Sequence, residues 1–156
     1  MKIHALLDEN LVLPRLEARD RPGVLREMSD KLEARYAPAL DATLLDKLLK
    51  REEMGTTAIG KGVAVPHCRA KGVQSPALLL GLSQDGVAFE AVDGKPSHVF
   101  FLLVSPEDNP GAGLRLLAAI AGLVRRSRSL SSRLLKADTP AGVIDVPRVP
   151  SGLPVQ

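Results

Sequence analysis

The segment Gly55-Thr56-Thr57-Ala58-Ile59-Gly60-Lys61-Gly62-Val63-Ala64-Val65-Pro66-His67-Cys68-Arg69 constrains the fold more than any other. Its glycines let the backbone turn tightly, and Val63, Ala64 and Val65 have the apolar character of a buried strand. Pro66 cannot donate to a ladder and marks where that strand ends, so His67 falls at a strand end. The proline restricts the chain entering His67, which predicts an imidazole held on a rigid support.

The rest of the chain reads as scaffold around this segment. Ile3, Leu6 and Leu7 predict a short packing turn, and Asn10 to Pro14 a first strand confined by Pro14 to an edge. Asp20 is the expected N-cap of a helix carrying Val24, Leu25, Met28, Leu32 and Tyr36 at three- and four-residue spacing, and Pro38 stops it. Asp41 is the expected cap of a second helix with a stripe of Leu44, Leu45, Leu48 and Leu49, which delivers Lys50 and Arg51 just before the glycine-rich segment. After a turn-like stretch from Ala70 to Pro76, Ala77 to Leu82 reads as a buried strand. Asp85-Gly86 reads as a hairpin turn, with Val87 to Phe89 returning. Asp93-Gly94 marks another turn before His98 to Val104, the strongest strand pattern. Leu114, Leu117, Ile120 and Val124 predict the buried face of a later helix, and Leu130 to Lys136 a short one. Fraying is expected from Thr139 onward. The order predicts an α/β sandwich built on a mixed β-sheet flanked by helices.

The length of 156 residues fits one domain, assigned to residues 1–146 with a flexible tail over 147–156. A single cysteine and no apolar N-terminal signal point to the cytoplasm, and no apolar run approaches membrane-spanning length. The formal charge is +3, but residues 109–156 carry seven basic and two acidic side chains. That basic surplus lacks interleaved aromatics, which excludes a nucleic-acid-binding pattern and leaves a solvated helix face or a dock for an acidic partner.

For chemistry, Gly55 to Gly62 comes within one residue of a P-loop, but Gly62 stands where a Ser or Thr should bind Mg²⁺. The context is inverted as well, since the loop follows a helix and leads into a strand. Gly60-x-Gly62 lacks the third glycine of a dinucleotide fingerprint. His67 and Cys68 have only His4 and His98 as further borderline ligands, too few at recognisable spacing for zinc, so neither metal nor cofactor is expected. A histidine that accepts a phosphoryl group needs donors for phosphate oxygens. Thr56, Thr57, the amides around Gly60 and Gly62, and the cations Arg51 and Arg69 are near it in sequence. Each of these is more often an ordinary surface, turn or helix-end residue, so spacing alone leaves this reading open.

The run Arg51-Glu52-Glu53-Met54-Gly55-Thr56-Thr57-Ala58-Ile59-Gly60-Lys61-Gly62-Val63-Ala64-Val65-Pro66-His67 closely resembles the signature of type-2 EIIA domains. These are the fructose/mannitol-type phosphocarriers of the bacterial phosphoenolpyruvate-dependent phosphotransferase system, among them the nitrogen-regulatory EIIA proteins. The two leading helices, the Asp93-Gly94-Lys95-Pro96 turn and the Val99-to-Pro106 strand agree, so that the resemblance covers about residues 3–137. It implies that His67 receives phosphate from an HPr-like carrier, that Arg51 neutralises the phosphoryl charge, and that Thr56, Thr57, Gly60 and Gly62 line the pocket. It also implies regulatory target proteins as partners, with room for weak self-association.

Three positions depart from the family pattern. Gly113 stands where a second active-site histidine is common, Ala58 replaces a glycine, and Cys68 follows His67 where glycine is usual. The expectation is a cytoplasmic phosphocarrier of regulatory type, since neither a fused transporter domain nor a membrane segment is apparent. The alternative is an EIIA-like binding module that no longer transfers phosphate because of Gly113. A nucleotide-binding protein using the P-loop-like segment is a more distant third.

Overall fold

The structure, a computed structural model, describes residues 3–137 and 139–146, with the His4 side chain left out. The tail assigned to 147–156 lies outside the described residues. The elements in chain order are α1 (Ile3–Leu6), a 3-10 turn (Glu9–Leu11), β1 (Val12–Leu13), α2 (Arg21–Tyr36), α3 (Leu44–Glu53), β2 (Ala58–Gly60), β3 (Val63–Ala64) and β4 (His67–Ala70). These are followed by β5 (Ala77–Val87), β6 (Ser97–Pro106), α4 (Pro110–Arg126), α5 (Leu130–Lys136) and α6 (Pro140–Asp145).

The six strands form one mixed sheet in the order β1-β5-β6-β3-β2, with β4 also pairing to β6. β6 is antiparallel to β5 and parallel to β3 and β4. Its run of apolar residues is buried on both faces, as a central strand requires. Phe100, Leu102 and Val104 face one core, which packs under α2 and α3; Val99, Phe101 and Leu103 face the other, under α4, α5 and α6. The result is the expected helix–sheet–helix sandwich.

Both leading helices form where periodicity places them. Asp20 caps α2 by accepting the Gly23 amide at 2.7 Å. Asp41, expected to cap α3, instead sits two residues before its N-cap, Thr43, and accepts both the amide and the hydroxyl of Thr43. Its second oxygen accepts Lys47 Nζ at 2.7 Å, and Lys47 also reaches Glu107 at 3.0 Å, tying α3 to the loop before α4.

Three further expectations are corrected. Asp85-Gly86 is not a hairpin turn. Gly86, at φ +83°, takes up a register shift inside β5, Ser83 Oγ accepts its amide at 3.1 Å, and Val87 pairs onward with Ser97. The connection to β6 is the longer segment 88–96, which contains the Asp93-Gly94 turn. On α4 the buried stripe is Ala112, Gly113, Leu116, Ile120, Leu123 and Val124, while Leu114 is 67% exposed. Small residues at 112 and 113 let the helix lie close on β6 and turn Leu114 outward. Finally, residues 139–146 do not fray within the described range: Thr139 caps α6 through the Gly142 amide, and Val143 is fully buried.

Two predictions follow from these contacts. Gly72 has φ +88°, and a Cβ there would overlap the Ala39 carbonyl. Gly72→Ala is expected to lower the unfolding free energy by about 2 kcal/mol or more, seen as a lower urea midpoint at unchanged slope; an unmoved midpoint would contradict it. Lys47 holds the Asp41 carboxyl well below its ordinary value of 3.8, and the pair raises Lys47 above 10.5. A depressed carboxylate stabilises the fold above its unfolded pKa and loses that contribution as pH falls. The native chain should therefore exceed Asp41→Asn in melting temperature at pH 7, with the gap closing as pH drops below 3.8. A gap of constant size down to the acid limit would sink this.

Candidate functional site

Val63 and Ala64 pair with Val99 and Phe100, and His67 to Ala70 pair with Leu103 to Pro106 in the same register. β3 and β4 are thus one strand interrupted at Val65-Pro66. Pro66 still accepts the Leu103 amide through its carbonyl at 2.9 Å, while the Val65 amide turns to the Thr57 carbonyl at 2.9 Å. The Val65 carbonyl meets His67 Nδ1 at 2.7 Å. A carbonyl oxygen only accepts, so Nδ1 carries the proton, and in the neutral ring Nε2 holds the free lone pair.

Parity then decides what surrounds His67. His67 and Arg69 leave β4 on the α4 side, next to their register partners Leu103 and Ser105 on β6. With Pro110, Gly113, Leu114 and Leu117 of α4 these residues line a cavity of about 370 Å³. Arg51, at the end of α3 in the opposite layer, reaches it where β4 has no further strand beside it. Arg51 Nη1 donates to the Gly55 carbonyl at 2.9 Å. Neither Arg51 nor Arg69 forms an ion pair with a described residue. A second, open groove of about 460 Å³ shares Arg51, Cys68 and Arg69 and adds Lys47, Lys50, Met54 and Glu107.

Cys68 has the opposite parity and packs against the core under α2 and α3. Burial pushes its thiol up to about 12, so it remains protonated and unreactive at neutral pH. The sequence-predicted residues therefore divide. His67, Arg51 and Arg69 are brought together; Thr56, Thr57, Gly60 and Gly62 are not among the cavity-lining residues.

The reasons are local. Thr57 is buried, and both its amide (3.1 Å) and its hydroxyl donate to the Glu52 carboxylate, clipping the loop to the end of α3. Thr56 Oγ1 donates to the Phe89 carbonyl at 2.6 Å. Gly60 and Gly62, at φ +92° and +77°, flank a turn whose Lys61 amide donates to Asp93 Oδ2 at 3.2 Å and whose Lys61 carbonyl accepts Ser131 Oγ at 2.7 Å. Extended chain from Gly62 to His67 spans roughly 16 Å, so this turn lies at the other end of the strand. His98 is there too, its Nδ1 on the Ser83 carbonyl at 2.9 Å. Among the described residues no group of three His, Cys, Asp or Glu side chains is arranged to hold a metal.

Sequence reasoning did not single out Leu103, Ser105 or Pro110 for the site. Leu103 and Ser105 are signalled only by the β4–β6 register and Pro110 only by the packing of α4 over it, both long-range properties. Lys47 was not singled out either, and Lys50 only as a residue of the last turn of α3.

The chain matches the family model described as phosphoenolpyruvate-dependent sugar phosphotransferase system, EIIA 2, over residues 5–146. It is 34% identical over 140 residues to a nitrogen regulatory protein of Pseudomonas aeruginosa, covering 89% of this chain and 90% of that protein. It is 30% identical over 146 residues to the fructose-specific EIIABC component of Bacillus subtilis, covering 94% of this chain and 23% of that longer protein. Among solved structures, nitrogen regulatory protein IIA-Ntr from Neisseria meningitidis superposes with a TM-score of 0.83 at 28% identity, over 93% of this chain and 98% of that one. The mannitol IIA of Escherichia coli shares the fold at a TM-score of 0.76 and 16% identity, over 90% and 98% of the two chains. With its sandwich, its strand-borne His67 and a family match over nearly the whole described range, the chain belongs to the type-2 EIIA family of the phosphotransferase system.

Proposed function

We propose that the chain is a cytoplasmic phosphocarrier with regulatory output, taking a phosphoryl group on His67 Nε2 from the phosphohistidine of an HPr-like protein. The observation that carries this reading is the His67 Nδ1 contact with the Val65 carbonyl at 2.7 Å. It fixes the tautomer and leaves the other nitrogen as nucleophile, in a cavity that holds Arg51 and Arg69 without a paired carboxylate.

In the transfer, the Nε2 lone pair forms a bond to phosphorus as the carrier's N–P bond breaks, and that electron pair returns to the carrier's imidazole. No proton has to move. The three equatorial oxygens carry the charge, which the guanidinium groups of Arg51 and Arg69 meet with fixed donors. The first turn of α4, represented by Pro110 and Gly113 in the wall, adds the positive end of a helix dipole. Thr56, Thr57, Gly60 and Gly62 shape the loop in this account and do not touch phosphate.

Met54, 82% exposed, and Leu114, 67% exposed, stand on the groove and cavity walls as apolar contacts for a docking protein. Phosphorylation adds roughly −1.5 to −2 charge between them, which changes the set of proteins that bind. The likeness to nitrogen regulatory proteins over most of both chains supports a regulatory role over a sugar-uptake one. The second reading, a binding module without transfer, is favoured by one observation: Gly113 lines the cavity where the family resemblance leads one to expect a histidine.

Intact-mass spectrometry at neutral or alkaline pH, after mixing with phosphoenolpyruvate, enzyme I and an HPr-like carrier, separates the two. The phosphocarrier reading expects one acid-labile phosphoryl adduct in the native chain and none in His67→Ala. It also expects labelling at least about tenfold slower in Arg51→Ala. An adduct that survives in His67→Ala, or a native chain unlabelled by several carriers, rejects it, and the latter outcome selects the binding module.

A further inference from the structure

Ser105 is 5% exposed and lines the cavity with His67, yet its hydroxyl forms no hydrogen bond with another described residue. Its oxygen is open to the cavity, unlike the enclosed Ser97 Oγ, so a ligand that enters can take the place of solvent as its hydrogen-bond partner. Its register partner is Arg69, so it leaves β6 on the face from which His67 and Arg69 leave β4. The hydroxyl is directed at α4: a Cβ built at Gly113 would lie 2.6 Å from Ser105 Oγ and 2.9 Å from Ser105 Cβ. Both distances are closer than real Cβ contacts. Position 113 is therefore restricted to glycine by the residue at 105, and the two positions share one volume on the cavity wall.

Resting on the phosphocarrier reading above, we propose that Ser105 Oγ donates a hydrogen bond to a phosphoryl oxygen on His67, from the place where the family resemblance puts a second histidine. The two arginines supply charge, whereas this hydroxyl supplies a neutral, short-range donor on the strand next to β4, whose position is fixed by the sheet. Ser105 keeps its proton throughout; the only covalent change remains the N–P bond made at His67 Nε2 and the N–P bond broken at the carrier. The absence of a histidine at 113 then exchanges one donor for another and does not mark a lost activity.

The test is single-turnover transfer from excess phosphorylated HPr-like carrier to the native chain and its variants, read as a saturating rate (kcat) and a half-saturating carrier concentration (KM). Ser105→Ala is expected to lower kcat by about tenfold or more with the KM for the carrier and the melting temperature unchanged, because the docking rim and the core are untouched. Ser105→Gly/Gly113→His, which clears the volume for an imidazole, is expected to transfer faster than Ser105→Gly alone. Native kcat in Ser105→Ala, a loss confined to KM, or a double variant no faster than Ser105→Gly overturns the proposal. A native chain that takes no phosphoryl group from the carrier removes the phosphocarrier reading and this one with it, so the two failures are read from different samples.

Discussion

The Val65 carbonyl has no strand partner, and the placement of His67 depends on that. A strand running from Val63 to Ala70 in one register with β6 would normally commit every second backbone group to its neighbour. Val65 gives its amide to the Thr57 carbonyl, but the Thr57 amide that would pair back donates to Glu52, which leaves the Val65 carbonyl without a strand partner in a buried environment. A buried carbonyl needs a donor, and His67 Nδ1 is the one that reaches it. The accounting that closes the sheet thus also selects the imidazole tautomer. The ring is held by backbone, which does not depend on a flexible side chain for its position.

The electrostatics around that ring follow from where nearby carboxylates are already engaged. Glu52, next to Arg51 in sequence, turns inward to Thr57 and is almost fully buried. Glu107, on the groove wall, accepts Lys47, which also holds Asp41. The guanidinium groups of Arg51 and Arg69 are left facing open space. Among the described residues, the basic side chains after residue 109 do not line the His67 cavity or the adjoining groove; the cations there are Lys47, Lys50, Arg51 and Arg69. Net charge by segment was therefore a poor guide to the field at the site, because folding brings α3 and β4 together and takes α5 elsewhere.

Elements fixed by short-range patterning were legible from the residues. α2 forms where its cap residue and apolar spacing put it, α3 and α5 where apolar spacing puts them, and β6 where the chain is apolar without interruption. His67 and Arg51 stood in the signature and Arg69 two residues beyond it, and folding brings the three to one cavity. What was not legible depended on register or on packing distance. Asp85-Gly86 has the composition of a hairpin turn, yet Val87 still finds Ser97, so the glycine serves a bulge in a longer strand. Leu114 fits the apolar stripe of α4 as well as Leu116 does, and only the close approach of the helix to β6 decides which is buried. Thr56 and Thr57 are adjacent to the signature glycines, but their hydroxyls are used by Phe89 and Glu52 before any ligand arrives.

The glycines separate into two kinds on the same grounds. Gly60 and Gly62 sit at positive φ and make the turn between β2 and β3, and the Lys61 amide between them is taken by Asp93. A phosphate cradle needs consecutive amides pointing outward and unpaired; this loop is a tight connection whose central amide is occupied, so its likeness to a P-loop is a likeness of composition. Gly113 is helical and needs no unusual φ. It is glycine because Ser105 stands against it. The first kind can be inferred from a string of letters, since turn chemistry is local. The second exists only once a helix is laid on a strand, and it is the one that leaves the Ser105 hydroxyl on the cavity wall, on the same sheet face as His67.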